Sequence, residues 1–343
     1  MRRLLKILAL SSLTFNFRSE AANVTPHPFK ITFGSCARQT NKEQSWNALS
    51  KENSDVLLLL GDNVYANATD EKTLSQAYET LNAQPDFQTL IRQTRVLATW
   101  DDHDYGINDS GAENPLKNES RKQMLDFFKE SADSPRRTQE GGIYASYDFK
   151  HKNQKIRILV LDTRWNRGPL DKLSRPEDVQ ERAKIGMGKI LVNSDKNSTM
   201  LGKAQWEWLE TEFKKPSDLL ILASSVQLLS EFTGWESWAN FPHEQKKMLD
   251  MIKKYSPKFK KFFILSGDIH RAEVLRVDGI LPKPLFEITS SGLTEVATSF
   301  PKNKARIKHY IGFNYGLIEI QKNLKVRISL KDRAGGTRIV QDI

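Results

Sequence analysis

Residues 96–106 read VLATWDDHDYG, an apolar run from Val96 to Trp100 that delivers Asp101, Asp102, His103 and Asp104 together. Three carboxylates share four residues with one imidazole, and the carboxylates repel one another. A folded chain keeps such a cluster where solvent or a cation relieves it. A solvated loop meets the first condition and a metal site the second, so the rest of the chain has to decide. Working outward, the same grammar recurs. FGSC stops at Cys36, LLLLGDNVY stops at Asp62 with Tyr65 three residues on, and ILSGDIHR stops at Asp268 and His270. A strand-end Asp alone is usually a turn residue, and a buried Cys alone is usually a small hydrophobe. Four strand ends all carrying ligand-type groups point instead to a metal site.

The chain between these stretches reads as α/β. Buried strands are predicted at 30–33, 54–60, 96–100, 156–162, 218–226 and 261–268, and a half-buried one at 142–149. Helical composition falls at 44–52, at 71–93 with a break near Pro85, at 119–130 and at 243–254. Residues 201–215 form an amphipathic helix, with Trp206, Leu209 and Phe213 at helical spacing. Residues 165–202 are polar and irregular, with at most a short helix near 177–185. The tail holds further strands, EVLRV, PLFEITSS, YGLIEI and VRISL. Alternating elements followed by strands without helices predict mixed sheets with the site along one edge.

The donor types indicate the chemistry. Asp62 directly follows a glycine and can approach two cations closely, so it is the candidate bridge. Hard oxygens such as Asp102 and Asp268 suit Ca²⁺, Mg²⁺ or Mn²⁺, whereas a thiolate and a phenolate suit a more electrophilic transition metal. Iron bound by Cys36 would explain the single cysteine of the chain. Two-metal sites commonly carry out in-line displacement at phosphorus.

Composition sets the compartment. The first 21 residues run from Arg2, Arg3 and Lys6 through a short apolar stretch to small residues at Ala21 and Ala22, the order of a signal peptide. Secretion or periplasmic delivery is therefore expected, with residues 22–343 as one domain, without a transmembrane segment and as a monomer. Removing the signal takes the formal charge from +10 to +7, which suits an anionic substrate. Sequons start at Asn23, Asn67, Asn108, Asn118 and Asn197. The basic stretch 246–261 reads as a solvated helix face, with no nucleic-acid recognition motif.

The order Gly-Asp-x-x-Tyr, Trp-Asp-Asp-His-Asp, Ser-Gly-Asp-x-His resembles the PhoD-like alkaline phosphatases and phosphodiesterases of the metallophosphatase superfamily. Ordinary members of that superfamily carry D-x-H, G-D, G-N-H-D/E, a lone His and G-H-x-H. Here Gly-Ser-Cys36 stands at the first motif and Gly61-Asp62 at the second. Asp102 and His103 take the ligand and catalytic positions of the third, and Asp268 replaces the first His of the last. The lone His is missing, and Ser225 or Gln227 is left in its place. The resemblance implies a four-layer αββα sandwich of two mixed sheets flanked by helices, binding Fe³⁺ with one or two Ca²⁺ ions.

Under that resemblance Cys36, Asp62, Tyr65, Asp102, Asp268 and His270 would bind metal. His103 would protonate the leaving alkoxide or stabilise the phosphoryl charge, with Asp101 and Asp104 orienting it. Arg164, in the Leu161-Asp162-Thr163-Arg164 motif, is a candidate phosphate clamp unless it pairs with Asp162. Asn108 and Arg271 are candidate substrate contacts. Trp235 and Trp238 are candidate cleft walls, and the 165–200 segment is expected to shape specificity. The expected activity is hydrolysis of a phosphate ester. A non-catalytic metal module binding phosphorylated polymers, or a hydrolase of another ester class, would use the same residues.

Overall fold

The largely apolar runs at 56–60, 156–160, 219–223 and 262–266 become strand segments buried on both faces, and the period-2 alternation shows where each face goes. The computed structural model describes residues 27–343. The signal peptide expected over 1–21 and the sequon at Asn23 lie outside the described residues. Strands β1 (Phe29–Gly34), β2 (Val56–Leu60) and β3 (Arg95–Thr99) pair in parallel. Parallel pairing needs long crossovers. These are α1 (Trp46–Lys51), then α2 (Glu71–Asn82) and α3 (Pro85–Gln93), with Pro85 opening α3.

The acidic cluster after β3 folds into a single helical turn, α4 (Asp102–Tyr105), followed by α5 (Lys117–Phe127). The hairpin β4 (Ala145–His151) and β5 (Gln154–Val160) starts the second sheet. The polar excursion that follows holds α6 (Pro176–Lys184), and then come α7 (Gly202–Lys214), β6 (Leu219–Ala223), α8 (Pro242–Tyr255) and β7 (Lys261–Ser266). The tail supplies β8 (Ala272–Val277), β9 (Leu285–Ser290), β10 (Arg306–Tyr310), β11 (Asn314–Ile320), β12 (Val326–Asp332) and β13 (Thr337–Asp342).

One sheet has the order β13-β12-β11-β1-β2-β3 and the other β10-β8-β9-β7-β6-β5-β4. Alternate residues of one strand serve two cores. Val56, Leu58 and Leu60 face the inter-sheet core with Ile158, Ile221 and Phe263. Leu57 and Leu59 face outward onto Trp46, Leu74, Phe87 and Leu90 from the helices. Across the molecule Leu220 and Leu222 pack on Trp206, Phe213, Met248 and Ile252. Two mixed sheets are thus flanked by helices, as expected. The unforeseen β10 and β13 are exposed edge strands, where polar residues dilute the apolar signal. No helix among the described residues is long and apolar enough to cross a membrane.

Candidate metal centre and active site

Because β1, β2 and β3 run parallel, their C-terminal ends lie side by side, and β7 brings its own end to them from the other sheet. The backbone stitches these ends together. Ala37 N–H donates to the Asp62 carbonyl at 2.9 Å, and Gly267 N–H to that of Ser225 at 2.9 Å. The Cys36 thiol lies 3.4 Å from Asp62 Oδ2 and 3.7 Å from the Asp268 carbonyl. Asp62 Oδ1 turns the other way and accepts from His103 N–H at 3.3 Å. The two oxygens of Asp62 therefore face different neighbours, as a bridging carboxylate requires.

Ten described non-glycine residues have positive φ, and six of them are here: Cys36, Asp62, Asn67, Asp109, Asp268 and His270. Left-handed backbone costs an L-residue on the order of 1–2 kcal/mol. Strain gathered this densely marks a site whose side chains must be aimed. Gly61, also left-handed, has no room for a Cβ, which would collide with Asp101.

Three overlapping groups place donor atoms within 4.8 Å of one another: Cys36, Asp62 and His270; Asp62, Asp102 and His103; Asp102, Asp109 and Glu236. Asp62 joins the first two. The Tyr65 phenol completes the first, 3.1 Å from His270 Nε2. Burial, then repulsion from Asp102 and the neighbouring aspartates, pushes the Asp62 carboxyl far above the carboxylate range. Burial, then Asp101, does the same to Asp268. Burial, then Asp62, raises the Cys36 thiol, and burial lowers His270 to about 4. Without cations the cluster relaxes only by holding protons; divalent or trivalent cations would replace those protons. Asp102 Oδ1 and Asp101 Oδ2, buried without a hydrogen-bond partner, fit that reading. The donors therefore suit a two-cation site, soft and hard at one end, hard at the other.

His103 is held from two sides. Its Nδ1 lies 2.6 Å from Asn67 Oδ1, which makes it the N–H donor. Its ring stacks on Tyr65 at 4.2 Å, and the Arg38 guanidinium lies 4.1 Å from that same tyrosine ring. Nε2 is left facing the cleft, 3.9 Å from Asp102. A cleft of about 310 Å³ opens over these residues, bordered also by Asn108, Gln227, Trp235, Asp268 and Arg271.

Several expectations are corrected here. Arg164 is 0% exposed. Its guanidinium bonds Asp101 Oδ1 at 2.6 Å and Glu236 at 2.9 Å, so it is an internal counter-ion out of reach of substrate. Nor does it pair with the Asp162 carboxylate, which caps the backbone N–H groups of Arg164 and Trp165 instead. Asp101 and Asp104 do not orient His103. Asp101 is held by Arg164 and by Ser225 at 2.6 Å, and Asp104 takes the N–H groups of Asn63 and Asp101. Trp238 is fully buried in the outer core. Of the two residues proposed for the missing histidine, Gln227 reaches the cleft, whereas Ser225 belongs to the buried network with Thr163. Arg271 borders the cleft but is committed to Glu273 at 2.6 Å.

Asn67, Asp109 and Glu236 belong to the site and were not foreseen. Asn67 and Asp109 lie in loops next to the motifs and carried a signal only by proximity. Glu236 lies in FTGWESW, with no strand before it to mark it.

The sequence model of the PhoD-like phosphatases matches residues 31–329. No curated protein matches the chain in sequence. Among solved structures, that of PhoD superposes with a TM-score of 0.61 at 15% identity, covering 92% of this chain and 72% of PhoD. Purple acid phosphatase PPD1 of yellow lupin gives 0.58 at 11% identity, covering 92% and 53%. GAP50, the anchor in the inner membrane complex of Plasmodium, gives 0.58 at 14% identity, covering 92% and 89%. At such identities the likeness carries the fold.

Proposed function

The chain belongs to the PhoD-like phosphatase family, and from that premise we propose that it is an exported, metal-dependent phosphoesterase, acting on phosphomonoesters or phosphodiesters at alkaline pH. The observation that carries this reading is Asp62, whose two oxygens face two separate donor sets on strained strand ends. Cys36, Tyr65, Asp62 and His270 would hold Fe³⁺, and Asp62 with Asp102 and its neighbours would hold Ca²⁺. The cations would supply an activated water and screen the phosphoryl oxygens.

The chain's own residues do the rest. With Nδ1–H held by Asn67, His103 acts as acid in its imidazolium form, whose second proton sits on Nε2; Nε2 meets the leaving oxygen and passes that proton to it, leaving the neutral Nδ1–H ring. Tyr65 keeps that ring from turning away. Asn108, exposed at the cleft rim, contacts the ester. The basic-then-apolar start of the chain supports export.

The test is a panel of bis-p-nitrophenyl phosphate, p-nitrophenyl phosphate and a carboxylic ester, run with metal analysis. Turnover of the phosphate esters alone, with iron and calcium bound, is expected. Cys36→Ser should lose iron together with the visible absorption of a thiolate–phenolate centre. Retention of both metals and full activity in that variant would sink the assignment. His103→Ala should keep its metals and lose turnover, which separates an enzyme from a binding module.

A further inference from the structure

Beside the metal centre the cleft has a wall made by two segments far apart in sequence. Gly188 N–H donates to the Thr233 carbonyl at 3.1 Å, and Ile190 N–H to that of Gly234 at 2.8 Å. The backbones meet so closely that a Cβ on either Gly188 or Gly234 would overlap the other's carbonyl. Arg182 pins the same segment through the Ile190 carbonyl at 2.7 Å. This junction sets Lys189 and Trp235 on one cleft. Trp235 directly precedes Glu236, whose carboxylate lies within 4.8 Å of those of Asp102 and Asp109.

Trp235 is 42% exposed, with its ring against Gly188. Its Nε1–H is already spent on the Gly186 carbonyl at 2.8 Å. What it offers a ligand is therefore a fixed ring face. The other cation on the cleft is committed, Arg271 to Glu273, and nearby Lys172 is paired with Asp109 at 2.6 Å. Lys189 makes no ion pair among the described residues. An uncommitted ammonium and a fixed aromatic face on a cleft of about 310 Å³ match a small ligand that is both planar and anionic.

We infer that Lys189 and Trp235 select the substrate: a nucleoside phosphate, its base against the Trp235 ring and its non-reacting phosphate on Lys189. The inference rests on the phosphoesterase reading above. A sugar or glycerol ester would use neither the ring plane nor, lacking a second charge, the ammonium.

The experiment uses the metal-loaded protein with ADP, AMP and glycerol phosphate. Base–aromatic stacking contributes about 1–3 kcal/mol, so Trp235→Leu should lower the ADP-to-glycerol-phosphate ratio of kcat/KM about tenfold, through KM. Lys189→Met should lower the ADP-to-AMP ratio by a similar factor. Ratios that stay within twofold of wild type overturn the inference. If the wild type hydrolyses neither these three nor bis-p-nitrophenyl phosphate, the phosphoesterase reading has failed; in that case, or where only the diester is cleaved, the wall is judged by ADP binding. Saturable ADP quenching of wild-type tryptophan fluorescence that Trp235→Leu removes supports the wall; no quenching, or equal quenching in the variant, overturns it.

Discussion

Arg164→Met separates an internal counter-ion from a substrate clamp. The guanidinium is fully buried between Asp101 and Glu236, at 2.6 and 2.9 Å. Arg167 holds Glu236 as well, at 3.1 Å, but does not reach Asp101. Methionine replaces the aliphatic stem and leaves Asp101 with only the Ser225 hydroxyl. Removing one partner of a buried pair costs about 3–5 kcal/mol, because the other charge stays buried. For a domain of this size the melting temperature shifts by about 2 °C per kcal/mol, so the expected fall is roughly 6–10 °C.

The assay is thermal melting of the metal-loaded protein by circular dichroism, with kinetics in parallel. A second variant, Arg164→Met with Glu236→Gln, removes one of the stranded charges. It should melt above the single variant, and the difference gives the coupling. A phosphate clamp would behave in the opposite way, with KM raised and the melting temperature unchanged. Melting within 2 °C of wild type would refute the counter-ion reasoning.

Other perturbations test separate parts of the structure. Glu287 has no counter-ion among the described residues, and burial pushes its carboxyl up to about 7, although the Leu229 and Leu228 N–H groups pull it down. The folded state therefore keeps a proton that the unfolded chain releases near pH 4.5. The Glu287 contribution to stability is greatest below that pH and falls as pH rises to about 7, by roughly 3 kcal/mol. Glu287→Gln should flatten that fall in melts between about pH 5 and 8; parallel curves would count against it. Asn67→Leu should leave metal content intact and lower kcat by about 10–100-fold, the range seen on removing a group that orients a metal-ligating histidine, with a shifted pH–rate profile; unchanged kcat would remove Asn67 from the mechanism. Gly61→Ala forces a left-handed alanine into Asp101, so metal stoichiometry by mass spectrometry should fall; two metals per chain would show that the close approach is dispensable.

How much of this was legible depended on range. Ligands at strand ends could be read because strand and ligand are adjacent in sequence: Leu60-Gly61-Asp62 and Trp100-Asp101-Asp102 carry both halves of the argument. The sandwich followed from the same runs, since Leu57 and Leu58 serve opposite faces yet are equally apolar. Edge strands β10 and β13 were missed because only one face of an edge strand needs to be apolar. The helical turn Asp102–Tyr105 was missed because its stability comes from the Asp104 carboxylate accepting the Asp101 N–H, a local bond hidden within an acidic run.

Long-range pairing was not legible, and Arg164 shows why. In sequence an arginine beside a cluster of acids suits a phosphate and a carboxylate equally well, because its planar fork fits both. Burial decides between them. A site that gathers Asp62, Asp101, Asp102, Asp268 and Glu236 under one cleft must neutralise part of that charge from inside before a phosphoryl group can approach. The deepest cations, Arg164 and Arg167, are consumed in doing so. Substrate recognition then falls to a cation that needs no buried partner, and Lys189, on the segment the sequence marked only as polar and irregular, meets that condition.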